Sequence, residues 1–106
     1  MDIIERHHAG KRDAPSGTAR RLADLLREKS GVAMGPERIQ SIRAGDVVGE
    51  HAVLFTGPGQ SLKILHSVTT RDVFAAGALR AAAWLCGRAP GRYAIEQAFG
   101  LAADRL

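Results

Sequence analysis

Glu5-Arg6-His7-His8-Ala9-Gly10-Lys11-Arg12-Asp13-Ala14-Pro15-Ser16-Gly17-Thr18-Ala19 sets a polar, chargeable segment between two structural ones, and the rest of the chain is organised around it. Upstream, Ile3-Ile4 reads as the end of a short strand, Asp2 to Arg6. Downstream, Pro15-Ser16-Gly17-Thr18 opens a helix. A helix start offers backbone N–H groups without an internal partner and the positive end of the helix dipole, so it suits a carboxylate or phosphate. Ser16 and Thr18 add hydroxyl donors, and Gly17 leaves the backbone open to a ligand. With His7, His8 and Lys11 beside it, this seat reads as a site for a small anion that needs a proton.

Each piece also has a plainer role. Paired histidines at a strand end serve as surface imidazoles, and Asp13-Ala14-Pro15-Ser16-Gly17 serves as the turn into a helix. A metal centre is not indicated. Adjacent histidines on a strand point to opposite faces, Cys86 is far off in a helical stretch, and no second ligand cluster appears.

Working outward, Ala19, Leu22, Ala23, Leu25 and Leu26 recur at helical spacing from Gly17 to about Ser30, with Gly31 as the stop. Such an amphipathic helix ordinarily covers a sheet. Val32 to Glu37 is a connection turned at Gly35-Pro36. Ile39 to Arg43 alternates as a strand, and Ala44-Gly45-Asp46 with Gly49 marks a loop. His51 to Thr56 and Ser61 to Val68 read as strands joined by Gly57-Pro58-Gly59, an antiparallel hairpin. Apolar residues on both hairpin faces predict that the face left open by the helices meets a neighbouring subunit. Glu50 and His51 read as a polar pair, and Arg71-Asp72 as a helix-start pair.

A second helix begins near Thr70 as cap, carries the stripe Phe74, Ala75, Ala78, Leu79, Ala82 and Leu85, and ends at Gly87. Its alanines and Gly77 imply close packing on the sheet, so it is assigned to the core, with Cys86 as packing beside Trp84 and Leu85. Tyr93 to Leu101 is a short final helix, and the last residues are expected to fray. The fold class is therefore α+β: a mixed, largely antiparallel sheet of about four strands with helices on one face, the open face serving oligomerisation.

A chain of 106 residues with 45% hydrophobic content makes one domain rather than two. Its formal net charge of +4 comes from scattered basic residues, and with only three Phe, one Trp and one Tyr to stack on bases it does not point to nucleic acid. An anionic metabolite fits equally well. One cysteine excludes an internal disulfide framework, and no apolar run approaches the roughly 20 residues that span a bilayer. A cytoplasmic protein without a membrane partner is expected.

Glu5-Arg6-His7-His8, Lys11 and Asp13 to Ala19 together resemble the signature of the dihydrodipicolinate reductases of diaminopimelate and lysine biosynthesis. Ser41 to His51, Phe55 to Gln60 and Phe74 to Leu85 are similar to that family in the same order, so the resemblance covers nearly the whole chain. It matches only the carboxy-terminal half of such an enzyme, residues 1–106 corresponding to the substrate-binding and tetramerisation domain. The connection from Val32 to Arg38 is shorter than is usual in the family.

The resemblance implies a reductase converting 4-hydroxy-tetrahydrodipicolinate to tetrahydrodipicolinate with a hydride from NADPH or NADH, and a homotetramer. It implies His7 as general acid, Lys11 as a proton-donating and substrate-binding group, and His8, Ser16, Gly17 and Thr18 as contacts to the dicarboxylate. The family's nucleotide-binding motif has no counterpart here, since Gly57-Pro58-Gly59-Gln60 has the wrong spacing and sits in a hairpin turn. A strand beginning at the first residue suggests that something precedes it, and the chain alone is expected to be inactive without a nucleotide-binding domain in cis or trans. The alternative is a stand-alone assembly or dicarboxylate-binding module with no catalytic role.

Overall fold

The computed structural model describes residues 1–101; the fraying expected at the chain end falls on 102–106, outside the described residues. The chain divides into two compact units, Met1–Thr69 and Thr70–Leu106.

In the first unit, strand β1 (Asp2–His7) leads to helix α1 (Gly17–Ser30), then β2 (Ile39–Arg43), β3 (Gly49–Gly57) and β4 (Gln60–Val68). A 3-10 turn at Pro36–Arg38 follows the Gly35-Pro36 signal. The sheet order is β2-β1-β3-β4. β1 and β2 are parallel, whereas β1–β3 and β3–β4 are antiparallel, so the sheet is mixed and largely antiparallel as expected. Parallel neighbours need a crossover connection, and α1 supplies it.

The ends of α1 are set by local chemistry. Ser16 is extended, at φ −64° and ψ 159°, and its Oγ accepts the N–H of Ala19 at 3.2 Å. Gly31, at φ 72°, closes the helix by donating to the Arg27 carbonyl at 2.9 Å, a conformation that costs glycine little.

Between those ends, Ala19 and Ala23 lie against Ile3 and Val53, with Leu22, Leu26, Met34, Ile39 and Phe55 packed around them. The two small alanines bring the helix close to the sheet. Full burial of Ile3 contributes on the order of 1.5–3 kcal/mol.

The β3–β4 hairpin closes tightly. Gly57 pairs with Gln60, leaving Pro58-Gly59 as the turn, with Gly59 at φ 71°. Along edge strand β4, Leu62, Ile64 and Leu65 are 60%, 58% and 51% exposed, which leaves these apolar side chains largely uncovered.

The second unit holds α2 (Asp72–Leu85) and α3 (Ile95–Ala98). Arg71 rather than Thr70 takes the cap position, yet the Thr70 hydroxyl still accepts the N–H of Asp72 at 3.2 Å. Gly87, at φ 79°, follows the helix end as expected. A Cβ built on Gly77 would stand 3.9 Å from the Phe99 ring, Arg80 lies over that ring, and Trp84 meets Tyr93 edge-on. The final helix is shorter than Tyr93 to Leu101.

Two expectations for this region are overturned. No residue of α2 is buried, and Phe74 and Leu79 of its stripe are 55% and 72% exposed. Cys86 is exposed rather than packed. An apolar stripe marks the side of a helix that favours cover, but it does not say that the same chain supplies the cover. Among the described residues, no helix is long and apolar enough to cross a membrane.

Candidate functional site

Strand alternation sorts the sheet into rungs on the face under α1. Ile3 lies between Ile39 and Val53, and Glu5, two residues on, lies between Ser41 and His51. His7 is paired to Arg43 at the end of the strand. The face thus passes from apolar to ionisable within six residues, and α1 begins above the ionisable end.

Glu5 is the centre of this end. It is fully buried, and Arg43 grips both its oxygens, Nη2 to Oε1 at 2.8 Å and Nη1 to Oε2 at 2.9 Å. The N–H of Ser16 donates to Oε1 at 3.3 Å, and His7 Nδ1 lies 2.5 Å from Oε2. Burial pushes the Glu5 carboxyl up, but hydrogen bonds from Arg43, Ser41 and His7 prevail and hold it down at about 2. The carboxylate is therefore ionised at neutral pH and accepts only, so His7 donates through Nδ1. Arg43 is raised above its ordinary value by its hydrogen bond to Glu5. Its Nη2 also donates to the Asp13 carbonyl at 2.6 Å, tying the segment after β1 to the sheet.

His7 is only 12% exposed in its side chain. Its ring stands edge-on to His51, with centroids 5.2 Å apart. Gly49, at a buried strand position, lies beside His7 Nε2; a Cβ built on it would stand 3.4 Å from that nitrogen, an ordinary contact. His51 Nε2 and Ser16 Oγ share a hydrogen bond of 2.9 Å. Burial lowers the His51 pKa, and the charges of His7, His66 and Arg43 add to that, with Glu5 opposing.

The candidate residues read from sequence fall into two groups. His7 and Ser16 join the Glu5 cluster, where the 3% exposed Ser16 hydroxyl serves both the helix cap and His51. His8 lies over Gly10, and Lys11 Nζ pairs with Asp13 at 2.8 Å, holding that carboxyl below its usual value. Gly17 and Thr18 are exposed at the helix start; open space lies where a Gly17 side chain would point, and their N–H groups have no acceptor among the described residues.

The supposed Glu50–His51 pair is not formed. Neighbours on a strand face opposite ways, so Glu50 turns to Arg6 and Ser67 while His51 turns to Ser16. Glu5 and Arg43 are the members to which sequence gives no role, and sequence gives His51 only that of partner to Glu50. Only the quoted similarity across Ser41 to His51 pointed toward the last two.

Glu5, His7 and His51 also place one potential metal-ligand atom each within 4.8 Å of one another. The Arg43 guanidinium already supplies the positive charge there, which disfavours a divalent cation at the same carboxylate.

Fold and cluster define a class: an α+β domain that holds a carboxylate-anchored histidine on its sheet, beside a helix start with free N–H groups. Residues 1–99 match the family described as dihydrodipicolinate reductase, C-terminus, and the chain belongs to that family.

The chain is 45% identical to the 4-hydroxy-tetrahydrodipicolinate reductase of Myxococcus xanthus, over 94% of this chain and 43% of that protein. It is 51% identical to the reductase of the same name from Xanthomonas campestris pv. campestris, over 90% of this chain and 38% of that one. The chain therefore spans less than half the length of these curated relatives. A solved structure, dipicolinate-bound dihydrodipicolinate reductase from Paenisporosarcina sp. TG-14, is similar with a TM-score of 0.63 and 30% identity, covering 74% of this chain and 36% of that one.

Proposed function

We propose that the chain is the substrate-binding and catalytic half of an NAD(P)H-dependent oxidoreductase of lysine and diaminopimelate biosynthesis. The reaction takes 4-hydroxy-tetrahydrodipicolinate, NAD(P)H and a proton to tetrahydrodipicolinate, NAD(P)+ and water. The observation that carries this reading is the Glu5-anchored His7 beside the open start of α1, a proton donor next to a seat for a carboxylate. The relatives' shared name and the dipicolinate in the similar structure support it.

In this reading His7 donates the proton to the substrate. His8 and Lys11 bind the dicarboxylate, Lys11 also aiding proton donation, and Ser16, Gly17 and Thr18 hold one carboxylate at the helix start. Ser16 acts there through the cap that shapes the turn, since its hydroxyl is already engaged.

The described residues do not fit a nicotinamide dinucleotide. Gly57 to Gln60 closes a hairpin, and no glycine-rich strand-turn-helix unit is present among them. The hydride donor belongs to a nucleotide-binding domain in cis or trans. Assembly as a cytoplasmic homotetramer, through the apolar sheet residues left uncovered, completes the reading.

Calorimetric titration of the purified chain with pyridine-2,6-dicarboxylate tests it. Saturable one-site binding is expected, weakened roughly 10- to 100-fold by Lys11→Ala, as suits loss of a charged hydrogen bond. Well-folded chain that binds nothing would mean either that the nucleotide-binding domain completes the pocket or that the chain is an assembly module only.

A further inference from the structure

We propose that Glu5 is the positioning residue for His7: it fixes the ring so that Nδ1 keeps its proton and Nε2 alone exchanges one with a ligand. The inference deepens the reading of His7 as a proton donor and rests on it.

A neutral imidazole has two tautomers, and the partner of one nitrogen decides which is present. Here Nδ1 lies 2.5 Å from Glu5 Oε2. An ionised carboxylate has no proton to give, so the one between them belongs to Nδ1. Glu5 is not free to turn away. Arg43 holds both oxygens at 2.8 and 2.9 Å, Ser16 donates its backbone N–H, and the side chain is fully buried. Gly49 lies on the other side of the ring, where a built Cβ would stand 3.4 Å from Nε2, an ordinary contact distance.

The consequence is a division of labour within one ring. When doubly protonated, His7 releases its proton from Nε2, and the product is already the tautomer that Glu5 stabilises. No ring flip separates proton release from proton uptake. Arg43 keeps Glu5 ionised and, through the Asp13 carbonyl, ties this arrangement to the segment that carries Lys11.

Long-range proton–nitrogen NMR on the chain labelled with ¹⁵N-histidine reads the tautomer of each ring above its titration range. The expected result is that neutral His7 carries its proton on Nδ1. In Glu5→Gln the amide oxygen takes the Oε1 place, facing Arg43 Nη2 and the Ser16 N–H, and its NH2 faces the ring, so the proton moves to Nε2 or the preference is lost.

Finding Nε2–H in the unaltered chain overturns the proposal, as does the same tautomer in both proteins. Should the variant fail to fold, the unaltered chain decides alone. Because no substrate is present, this outcome is independent of whether pyridine-2,6-dicarboxylate binds.

Discussion

Glu5 and Arg6 are neighbours on one strand, both charged, both paired across the sheet, and they live in different physical settings. Glu5 faces α1, fully buried, with a two-pronged guanidinium grip from Arg43. Arg6 faces the other way and meets Glu50 once, at 3.4 Å, with 40% and 24% of the two side chains exposed. Water competes for the second pair and not for the first. The difference shows that the number of ion pairs says little here, while exclusion of solvent and a two-pronged hydrogen-bonding geometry say much.

Glu5→Ala should break the comparison most violently. It strands the Arg43 guanidinium, 16% exposed, against a cavity, and loss of about 3–5 kcal/mol is expected in urea unfolding. A loss below about 1 kcal/mol would mean that solvent reaches the site freely.

Acid titration sharpens the same contrast without mutation. The Glu5 pKa is depressed in the folded chain, from 4.5 to about 2, so its stabilisation is complete above the unfolded value and is lost as pH falls from about 5 to about 2. The amount is on the order of 3 kcal/mol. His51 is depressed too, chiefly by burial, so protonation favours the unfolded chain and a first decline begins below about pH 6.5. Stability measured against pH should therefore fall in two stages, and Glu5→Gln should flatten the lower one.

Ser16→Ala tests the helix side of the buried cluster. Removing the cap should cost about 1 kcal/mol and deprive His51 Nε2 of its partner, visible as a changed His51 titration by NMR. On the solvent side, Arg6→Ala should cost no more than about 0.5 kcal/mol, and molar salt should erase even that. A larger, salt-resistant effect would show that the second face is also shielded.

Much of the first unit was legible in the residue order. The helix opening at Pro15-Ser16-Gly17-Thr18, the Gly31 stop, the alternation of Ile39 to Arg43 and the tight hairpin turn are local signals, and β1, α1, β2, β3 and β4 follow them closely. His7 was also legible, as a chargeable group at a strand end.

What stayed hidden is what depends on pairing between distant segments. Glu5 acquires its meaning from Arg43, 38 positions away, and no local pattern states that register. His51 was misassigned to Glu50 because adjacency in sequence is separation on a strand. The α2 stripe was read as core because periodicity shows a preference for cover without naming what provides it.

The grip of Arg43 on Glu5 also has a meaning in time. Glu5, Ser16, Arg43 and His51 come from four separate segments, and the parallel pairing of β1 with β2 must wait for the α1 crossover. The β3–β4 hairpin, joined through two residues, can form early by local closure. The arrangement around Glu5 therefore needs all four segments in register, whereas the hairpin needs only its own two strands. His7 in its anchored form serves as a reporter of the finished fold.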